Sequence, residues 1–491
     1  MRTPVLTLSP DFRLRCEDVY RVAFGAQNVR FSEEAREAMQ RSHDALHAIL
    51  ERGDAVYGLT TGFGPLVRYN TSHSDEQGMS LIAHLGAGYG SNIASEIVRG
   101  AMLARLHTLA QGMSGIAPRT AEFYADMLAH GIIAAVPSIG SLGASGDLIP
   151  LAHIVRAMTG EGDVLRGSET IPAMEALLEH GLQPCRLSKR DALALVNGTS
   201  FSTVYMALAL VRSRRLIVRA EEVTGWMIRV LGCRRNSLDA RLHAAKGHQG
   251  QEESARCILR EATIGGVPED EKRPLQEIYS IRCAPQILGA VREVLEQSEK
   301  TTEQELNGID DNPLVNTEES AILHSGNFMT QHIGFAADSL NSALTQAGNL
   351  AERQIEALVN PAWNGNASLL LAGEPGATSG MAGVQLTATA LLAEMRSRRQ
   401  HYASSSLPSN AGNQDIVPLG FQAARECYDQ TERLAAILAC ETLCVAQLAA
   451  LKGYAGARPS WMLPFQALTN DRAMRPEIQR LAAQILAEQD C

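Results

Sequence analysis

Several features are scarce in this 491-residue sequence, and each scarcity narrows the possible functions. Aromatic residues make up only 5% of the chain while alanine and leucine are abundant, a composition that favours helices over strands. The net charge is −10, and the sequence contains no run of basic residues. A protein that binds nucleic acid or an anionic membrane needs such a run, so we expect neither partner.

Cysteine usage and apolar runs indicate the cell interior. None of the nine cysteines belongs to a Cys-x-x-Cys pair. Cys440 and Cys444, one helical turn apart in an apolar run, fit core packing better than a metal site. The first ten residues lack the apolar stretch of a signal peptide, and the longest apolar run, residues 201–211, is too short to span a bilayer. We therefore expect a soluble cytoplasmic protein.

Helical periodicity dominates the second half of the chain. Apolar residues recur every three or four positions from 327 to 358, which predicts a helix of about 30 residues. Further helices are predicted over 284–306, 380–399 and 416–451, and a helical tail is predicted after residue 460. Helices of this length are typical of bundles and subunit interfaces. The chain is therefore predicted to be mainly α-helical.

The segment from Ser138 to Pro150 is rich in glycine on both sides of the pair Ala144-Ser145. Small residues allow the backbone to fold back tightly. If the nitrogen of Gly146 attacks the carbonyl carbon of Ala144, a five-membered ring closes. Loss of two waters, one of them carrying the Ser145 hydroxyl, then leaves an imidazolone with an exocyclic methylidene, which is a strong electrophile. The alternative is an ordinary turn with glycine at positive φ.

Three further segments carry candidate functional residues. Tyr57 precedes a glycine-rich loop, where it either anchors the loop or acts as a catalytic base. Asn197 interrupts an apolar run, where it either breaks a helix or presents its amide to a site. The segment from His84 to Gly90 has the spacing Gly-x-Gly-x-Gly, which differs from the dinucleotide-binding pattern Gly-x-Gly-x-x-Gly.

Motifs in a characteristic order along nearly the whole chain resemble those of the aromatic amino acid ammonia-lyases and aminomutases, the family of the histidine, phenylalanine and tyrosine ammonia-lyases. The motifs are Tyr57-Gly-Leu-Thr-Thr-Gly-Phe-Gly64, Gly140-Ser-Leu-Gly-Ala-Ser-Gly-Asp-Leu148, Asn197-Gly-Thr-Ser200, Tyr279-Ser-Ile-Arg-Cys-Ala-Pro-Gln286, Asp311-Asn-Pro313, Gly326-Asn-Phe328 and Asn413-Gln-Asp415.

The resemblance implies a mainly α fold of the fumarase/aspartase-like superfamily, similar to histidine ammonia-lyase. It implies an N-terminal domain over residues 1–200 that carries the electrophile. A central bundle of long helices, with its helical tail, would follow over residues 201–491. It also implies a homotetramer in which residues from more than one subunit complete each active site.

The resemblance further implies the cofactor and the roles of the site residues. Ala144, Ser145 and Gly146 would form 4-methylidene-imidazole-5-one (MIO), with no metal and no pyridoxal phosphate (PLP). Tyr57 is the implied base, and Arg282 is the implied partner of the substrate carboxylate. The other implied substrate-binding residues are His84, Leu85, Asn197, Tyr279, Phe328, Asn413 and Gln414.

The pair His84-Leu85 occupies the family positions that read the substrate ring. Tyrosine-selective lyases resemble this chain in carrying His-Leu there, and a histidine that bonds a phenol hydroxyl discriminates strongly against a ring that lacks it. Gln414 stands where histidine lyases usually have glutamate. The resemblance therefore implies action on L-tyrosine, with release of trans-4-coumarate and ammonia.

Other interpretations stay open from the sequence. An aminomutase would use the same residues to make β-tyrosine, a phenylalanine or histidine ammonia-lyase would differ in ring selectivity, and a catalytically inactive helical scaffold would use none of them. Phe201, Tyr89 and Pro418 depart from the usual family pattern. Phe201 predicts a narrower pocket, and the three departures leave the exact ring preference open.

Overall fold

The computed structural model describes residues 4–71, 75–454 and 458–487, and 59% of the chain is helical. The predicted mainly α class is therefore confirmed. The α-helices of the described residues are α1 (Cys16–Ala23), α2 (Glu33–Glu51), α3 (Asp75–Leu85), α4 (Ser95–Ala110), α5 (Pro118–Ala129), α6 (Leu148–Met158), α7 (Ala173–Glu179), α8 (Lys189–Val196), α9 (Ser200–Leu231), α10 (Ala240–Lys246), α11 (Gln249–Thr263), α12 (Tyr279–Arg282), α13 (Ala284–Leu306), α14 (Gln331–Val359), α15 (Ala382–Arg398), α16 (Gly420–Leu451) and α17 (Arg475–Ala487).

The strands are short and form two-stranded sheets within the described residues. The first pair is parallel, with Leu6 opposite Val29, and the other three pairs are antiparallel. The paired strands are β1 (Val5–Leu8) with β2 (Asn28–Phe31), β3 (Tyr89–Asn92) with β4 (Pro137–Ile139), β5 (Asp163–Arg166) with β6 (Glu169–Pro172), and β7 (Leu314–Asn316) with β8 (Ala321–Leu323).

The chain divides into two compact units. The first unit comprises Met1–Leu208, Glu299–Asp338 and His401–Arg425. The second unit comprises Ala209–Ser298, Ser339–Gln400 and Glu426–Cys491. The domain boundary between residues 200 and 201 stays a prediction from the resemblance.

Local sequence explains where helices begin. The Ser32 hydroxyl accepts a hydrogen bond from Ala35 N at 3.2 Å and so caps α2. Glu33 and Glu34 occupy the first turn of that helix, where negative charge is favourable. The helix predicted over 284–306 coincides with α13.

The C-terminal tail is less helical than predicted. Residues 458–474 contain no α-helix, and α17 is the helical part of the described tail. Pro459 and Pro464 explain the difference, because proline lacks the amide N–H that a continuing helix needs. Pro476 is compatible with α17, since proline fits the first turn of a helix. The end of the predicted tail, residues 488–491, lies outside the described residues.

Two helical stretches, Lys189–Leu231 and Gly420–Leu451, are long and apolar enough to cross a membrane by length and composition. The expectation from the 201–211 run, that no apolar stretch is long enough, is therefore wrong. The most apolar windows of these stretches are 100% and 78% buried inside the protein. A helix buried on all sides within a protein is typical of a large core.

Helix α4 lies at the centre of the first unit. Every residue from Gly100 to Ala110 is buried, and α1, α2 and α5 pack around the helix. The guanidinium of Arg105, on this helix, is fully buried and donates to the carbonyl of Asn197. A core helix is therefore hydrogen-bonded directly to Asn197, which the sequence predicts to be a site residue.

Candidate active site

A cavity of about 880 Å3 in the first unit contains most of the predicted site residues. Its walls are the loop after Tyr57, helix α3, the turn before α6, Asn197 and the loop before α16. The predicted site residues that line it are Tyr57, His84, Leu85, Ala144, Ser145, Gly146, Asn197, Phe328, Asn413 and Gln414.

Two predicted site residues, Tyr279 and Arg282, belong to α12 in the second unit and are not among the described residues that line this cavity. Tyr279 is 71% exposed. The Arg282 guanidinium carbon lies 4.7 Å from the centroid of the Tyr279 ring, and its Nε is buried without a hydrogen-bond partner among the described residues. Their roles toward the substrate stay predictions.

The turn that contains Ala144, Ser145 and Gly146 is followed by the buried Asp147. The Asp147 N–H donates to Gly198 O at 2.8 Å, and the carboxylate accepts from Ser141 Oγ at 2.7 Å and from Ser202 N at 2.8 Å. Burial raises the pKa of Asp147 to about 6, and the hydrogen bonds from Ser202 and Ser141 oppose that rise. This carboxyl group ties the turn to the start of α9.

Distant segments hold the other side of the same turn. Thr330 donates to the carbonyl of Gly143 from its backbone N at 3.1 Å and from its Oγ1 at 3.0 Å. Gln422 Nε2 donates to the carbonyl of Ser141 at 2.6 Å. The turn is therefore fixed from both sides before any ring chemistry occurs.

The residues present fit the MIO group. Gly146 has φ +66°, and a Cβ there would collide with the carbonyl of Gly198, so glycine is required. Ala144 is only 6% exposed and packs against Val417 and Leu419. The tight, well-supported bend is the geometry that ring closure between residues 144 and 146 needs.

Asn197 contacts the atom that cyclisation would convert into the ring carbonyl. Closure removes the oxygen of Ala144, so the Ser145 carbonyl becomes the carbonyl of the imidazolone. Asn197 Nδ2 donates to that oxygen at 3.2 Å. In the MIO group this oxygen would carry negative charge when a nucleophile adds to the methylidene, and the Asn197 amide would stabilise that charge. Asn197 Oδ1 is buried without a partner among the described residues.

A buried charged cluster supports the Asn197 turn. Arg105 pairs with Asp310 at 3.2 Å, and the Asp310 carboxylate accepts from Thr199 N at 2.6 Å. Glu305 accepts from Thr199 Oγ1 at 2.9 Å. Burial and the nearby Asp310 raise the pKa of Glu305 to about 7. Together with the bond from Arg105 to the Asn197 carbonyl, these contacts hold the backbone of residues 197–199.

Tyr57 also lines the cavity. Its phenolic oxygen accepts a hydrogen bond from Gly64 N at 2.7 Å, and its own N–H donates to His324 Nε2 at 3.1 Å. The bond from Gly64 stabilises negative charge on the phenolic oxygen, as backbone N–H groups do for other oxyanions. Tyr57 therefore both anchors its loop and has the surroundings of a base.

His84 has a defined role in hydrogen bonding. Its Nδ1 lies 3.2 Å from the carbonyl of Ser80, and since a carbonyl only accepts, Nδ1 carries the proton. In the neutral ring Nε2 is then an acceptor, and it has no partner among the described residues. The side chain lines the cavity together with Leu81 and Leu85, so an acceptor lies beside apolar walls.

The sequence analysis missed Lys189 and Gln77, which also line the cavity. Lys189 binds the loop after Tyr57, and Gln77 lies two helical turns before His84 on α3. The only available signals were a lysine at the start of an apolar helix and a helical spacing of seven from His84. Neither signal distinguishes a site residue from a surface residue.

The three departures from the family pattern do not line the cavity. Phe201 is fully buried and lies outside the described lining residues, and the predicted narrowing of the pocket stays a prediction. Tyr89 is 80% exposed, and Pro418 also lies outside that lining. The predicted ring contacts that do line the cavity, His84 and Leu85, belong to α3.

Known proteins are similar to this chain in sequence and in architecture. A tyrosine ammonia-lyase from Cereibacter sphaeroides is 37% identical, over 99% of this chain and 99% of that protein. A histidine ammonia-lyase from Geobacillus thermodenitrificans is 35% identical, over 91% of this chain and 89% of that protein. The crystal structure of a tyrosine aminomutase from Streptomyces globisporus superposes with a TM-score of 0.92 at 33% identity, covering 98% of this chain and 97% of that one.

A family profile that matches most of the chain shows to which family the chain belongs. The profile described as "Aromatic amino acid lyase" matches residues 14–463, a span that includes every lining residue of the cavity. That family implies the MIO cofactor whose residues are described above. The chain is an enzyme of the aromatic amino acid lyase family, a family of carbon–nitrogen lyases.

Proposed function

We propose that the enzyme is a tyrosine ammonia-lyase, which eliminates ammonia from L-tyrosine to give trans-4-coumarate. The observation that carries the proposal is the contact of His84 Nδ1 with Ser80 O at 3.2 Å, on a side chain that lines the cavity. With Nδ1–H bound to Ser80 O, Nε2 is left as an acceptor for the phenol hydroxyl of the substrate. Leu81 and Leu85 would pack beside the ring.

The other residues fit the same reaction. Tyr57 is the base that removes the β-proton, and the Gly64 N–H stabilises the charge that its oxygen carries before it takes up that proton. Asn197 and the neutral amide of Gln414 also line the cavity, where they would bind the amino acid end of the substrate. Placing base and substrate in one rigid cavity supplies much of the rate, because bound geometry replaces chance encounter.

Neither a metal nor PLP is part of the proposal. The described lining residues include no carboxylate and no cysteine, and His84 is their one imidazole. The amine of Lys189 is engaged by three oxygen acceptors and is not free to form an imine with PLP.

The second candidate is a tyrosine 2,3-aminomutase. The structure is similar to that of the Streptomyces globisporus aminomutase, at a TM-score of 0.92. The fold therefore supports the aminomutase as strongly as it supports the lyase. Both activities use the same residues and differ in whether the unsaturated acid leaves or is re-aminated.

Turnover of three amino acids separates the candidates. Purified enzyme is incubated with tyrosine, phenylalanine and histidine, the unsaturated acids are followed by ultraviolet absorbance, and β-amino acids are sought by chromatography. We expect 4-coumarate from tyrosine as the main product. β-Tyrosine as the main product would establish the aminomutase, and urocanate from histidine without coumarate from tyrosine would establish a histidine lyase.

The substitution His84→Phe tests the ring contact directly. Loss of the acceptor for the phenol hydroxyl should lower the ratio of kcat/KM for tyrosine over phenylalanine at least about 10-fold. Steady-state kinetics with both substrates measure the ratio. An unchanged ratio would show that His84 does not read the ring.

We also propose a homotetramer with shared active sites. The position of Tyr279 supports it, since this side chain is 71% exposed and lies outside the lining of the cavity in its own chain, where another subunit can reach it. A light-scattering mass four times that of the chain is expected.

A further inference from the structure

The cavity has an uneven distribution of charge. Among its described lining residues the titratable side chains are Tyr57, His84 and Lys189, and no carboxylate is present. Lys189 is therefore the permanent positive charge of this wall at neutral pH. Its side chain is 6% exposed, so the charge is little screened by solvent.

All three N–H groups of the Lys189 ammonium are used within the loop that carries Tyr57. Nζ donates to Leu59 O at 2.9 Å, to Thr61 O at 3.2 Å and to Thr71 Oγ1 at 2.7 Å. These acceptors tie both ends of the loop to α8. Because no N–H remains, Lys189 is not a ligand of the substrate carboxylate.

The three acceptors are neutral, and the charge is left without an ion-pair partner among the described side chains. The neighbours on α8 do not supply one, since Arg190 binds Asp311 and Asp191 accepts from Ala117 N at 2.9 Å and from Thr120. Burial lowers the pKa of Lys189. A buried cation that meets only neutral groups is costly, and an anion forming nearby offsets that cost.

Tyr57 is the group where such an anion forms. Lys189 Nζ lies 5.5 Å from the centroid of the Phe63 ring, and Phe63 meets the Tyr57 ring edge-on at a centroid distance of 6.4 Å. The next residue, Gly64, donates to the Tyr57 oxygen. His324 contacts only the backbone N–H of Tyr57, and His84 lies on α3.

We propose that Lys189 is a positioning residue for Tyr57, which holds the Tyr57 loop and supplies the positive charge that stabilises the phenolate during removal of the β-proton. The proposal rests on the role of Tyr57 in the proposed function. It does not depend on which aromatic amino acid is the substrate.

The pH dependence of kcat/KM in the full-length enzyme tests it. Lys189→Gln keeps two N–H donors but removes the charge, and Lys189→Arg keeps the charge. We expect the acid limb of the profile to move up by about one pH unit in Lys189→Gln, with kcat/KM at neutral pH falling about 10-fold. Lys189→Arg should leave the limb in place. Should Lys189→Gln not fold, Lys189→Met provides the same uncharged comparison.

Lys452→Gln is the matched control, since Lys452 also donates to a backbone carbonyl, that of Val230, at 3.3 Å, and burial also lowers its pKa, but it lies in the second unit. The acid limb of the kcat/KM profile of Lys452→Gln should coincide with that of the parent enzyme. An unmoved limb in Lys189→Gln, or a loss by the same factor at every pH, would overturn the proposal. Tyr57→Phe is measured in parallel, and full turnover there would instead overturn the role of Tyr57.

Discussion

Single side chains decide whether this fold can act as a lyase, and Ser145 is the first of them. Its Cβ would become the exocyclic carbon of the MIO ring, while its carbonyl receives the Asn197 hydrogen bond at 3.2 Å. Replacing Ser145 by alanine would remove only the hydroxyl oxygen, in a turn that other residues hold in place.

Ser145→Ala should therefore lower turnover to background while leaving the fold intact. Alanine has no hydroxyl to lose as water, so no methylidene forms. Activity and the thermal unfolding midpoint are compared with those of Ser168→Ala, an exposed serine of the β5–β6 hairpin, which should keep both. Appreciable activity in Ser145→Ala would remove the MIO mechanism.

The contribution of Glu305 to the stability of the fold depends on pH. Burial raises its pKa to about 7, so the folded state prefers the neutral acid. Stability contributed by that proton is fully present below the pKa of the unfolded chain, about 4.5, and is lost as pH rises to 7 and above. The loss corresponds to about 3 kcal/mol of unfolding free energy.

Glu305→Gln should therefore unfold at a higher temperature than the parent enzyme at pH 8 and at nearly the same temperature at pH 4.5. Glutamine still accepts from Thr199, which donates at 2.9 Å, without placing a charge beside Asp310. Thermal unfolding at both pH values measures the difference. The exposed Glu252→Gln is the control, and a parallel pH dependence of the two variants would contradict the expectation.

Side-chain identity at the site was largely predictable, because chemistry requires particular residue types. Tyr57, Asn197 and the Ala144–Gly146 segment all line one cavity. Lys189 was not predictable, since its three acceptors lie 118 to 130 positions earlier in the chain, and no periodicity connects such positions.

At the scale of elements, the loop that follows Tyr57 depends on Gly64. Gly64 has φ +55°, and its N–H bonds the Tyr57 hydroxyl. A Cβ at this position would lie 2.7 Å from Asn410 Nδ2, on the loop before α16. The two loops therefore meet at a point that admits no side chain without displacement.

Gly64→Ala should lower kcat/KM at least about 10-fold, because displacing this backbone moves the base. Gly53→Ala is the matched control, since Gly53 also has positive φ, at +85°, but a Cβ there meets no atom within 4 Å. Both variants should lose about 1 kcal/mol of stability from backbone strain, as measured by denaturant unfolding. Equal activities would show that the loop position does not matter.

Helix bounds follow from sequence where periodicity is long and prolines are absent. The predicted helix at 380–399 corresponds to α15 and that at 327–358 to α14, within a few residues at each end. The prediction of a helical tail after residue 460 is wrong before α17, because Pro459 and Pro464 lack the amide N–H that a continuing helix needs. Burial of a helix on all sides cannot be distinguished from membrane insertion by composition alone, which explains the error over α9.

At the scale of the whole molecule, the proposed sharing of sites predicts complementation between inactive chains. Tyr57→Phe and Arg282→Ala should each be strongly impaired, the former about 100-fold or more. If Arg282 serves the cavity of another subunit, co-expressed chains form some sites with both native residues, about a quarter of them in a random mixture. Activity of the purified mixed assembly measures the recovery.

Tyr57→Phe mixed with Ser145→Ala provides the comparison. Tyr57 and Ser145 line the cavity of one chain, so no mixed assembly contains both in native form in one cavity, and no recovery is expected. Recovery in neither mixture would indicate that each site is built from a single chain.

The anchors of the turn around Ala144 also bear on how the enzyme is made. Two of them are Thr330 and Gln422, so the ribosome adds them about 190 and 280 residues after the residues they hold. At roughly 5–20 residues per second, synthesis leaves the turn without Gln422 for some tens of seconds. A nascent chain therefore carries the unsupported sequence of the electrophile throughout that time, and these supports of the turn are complete only once Gln422 has been made.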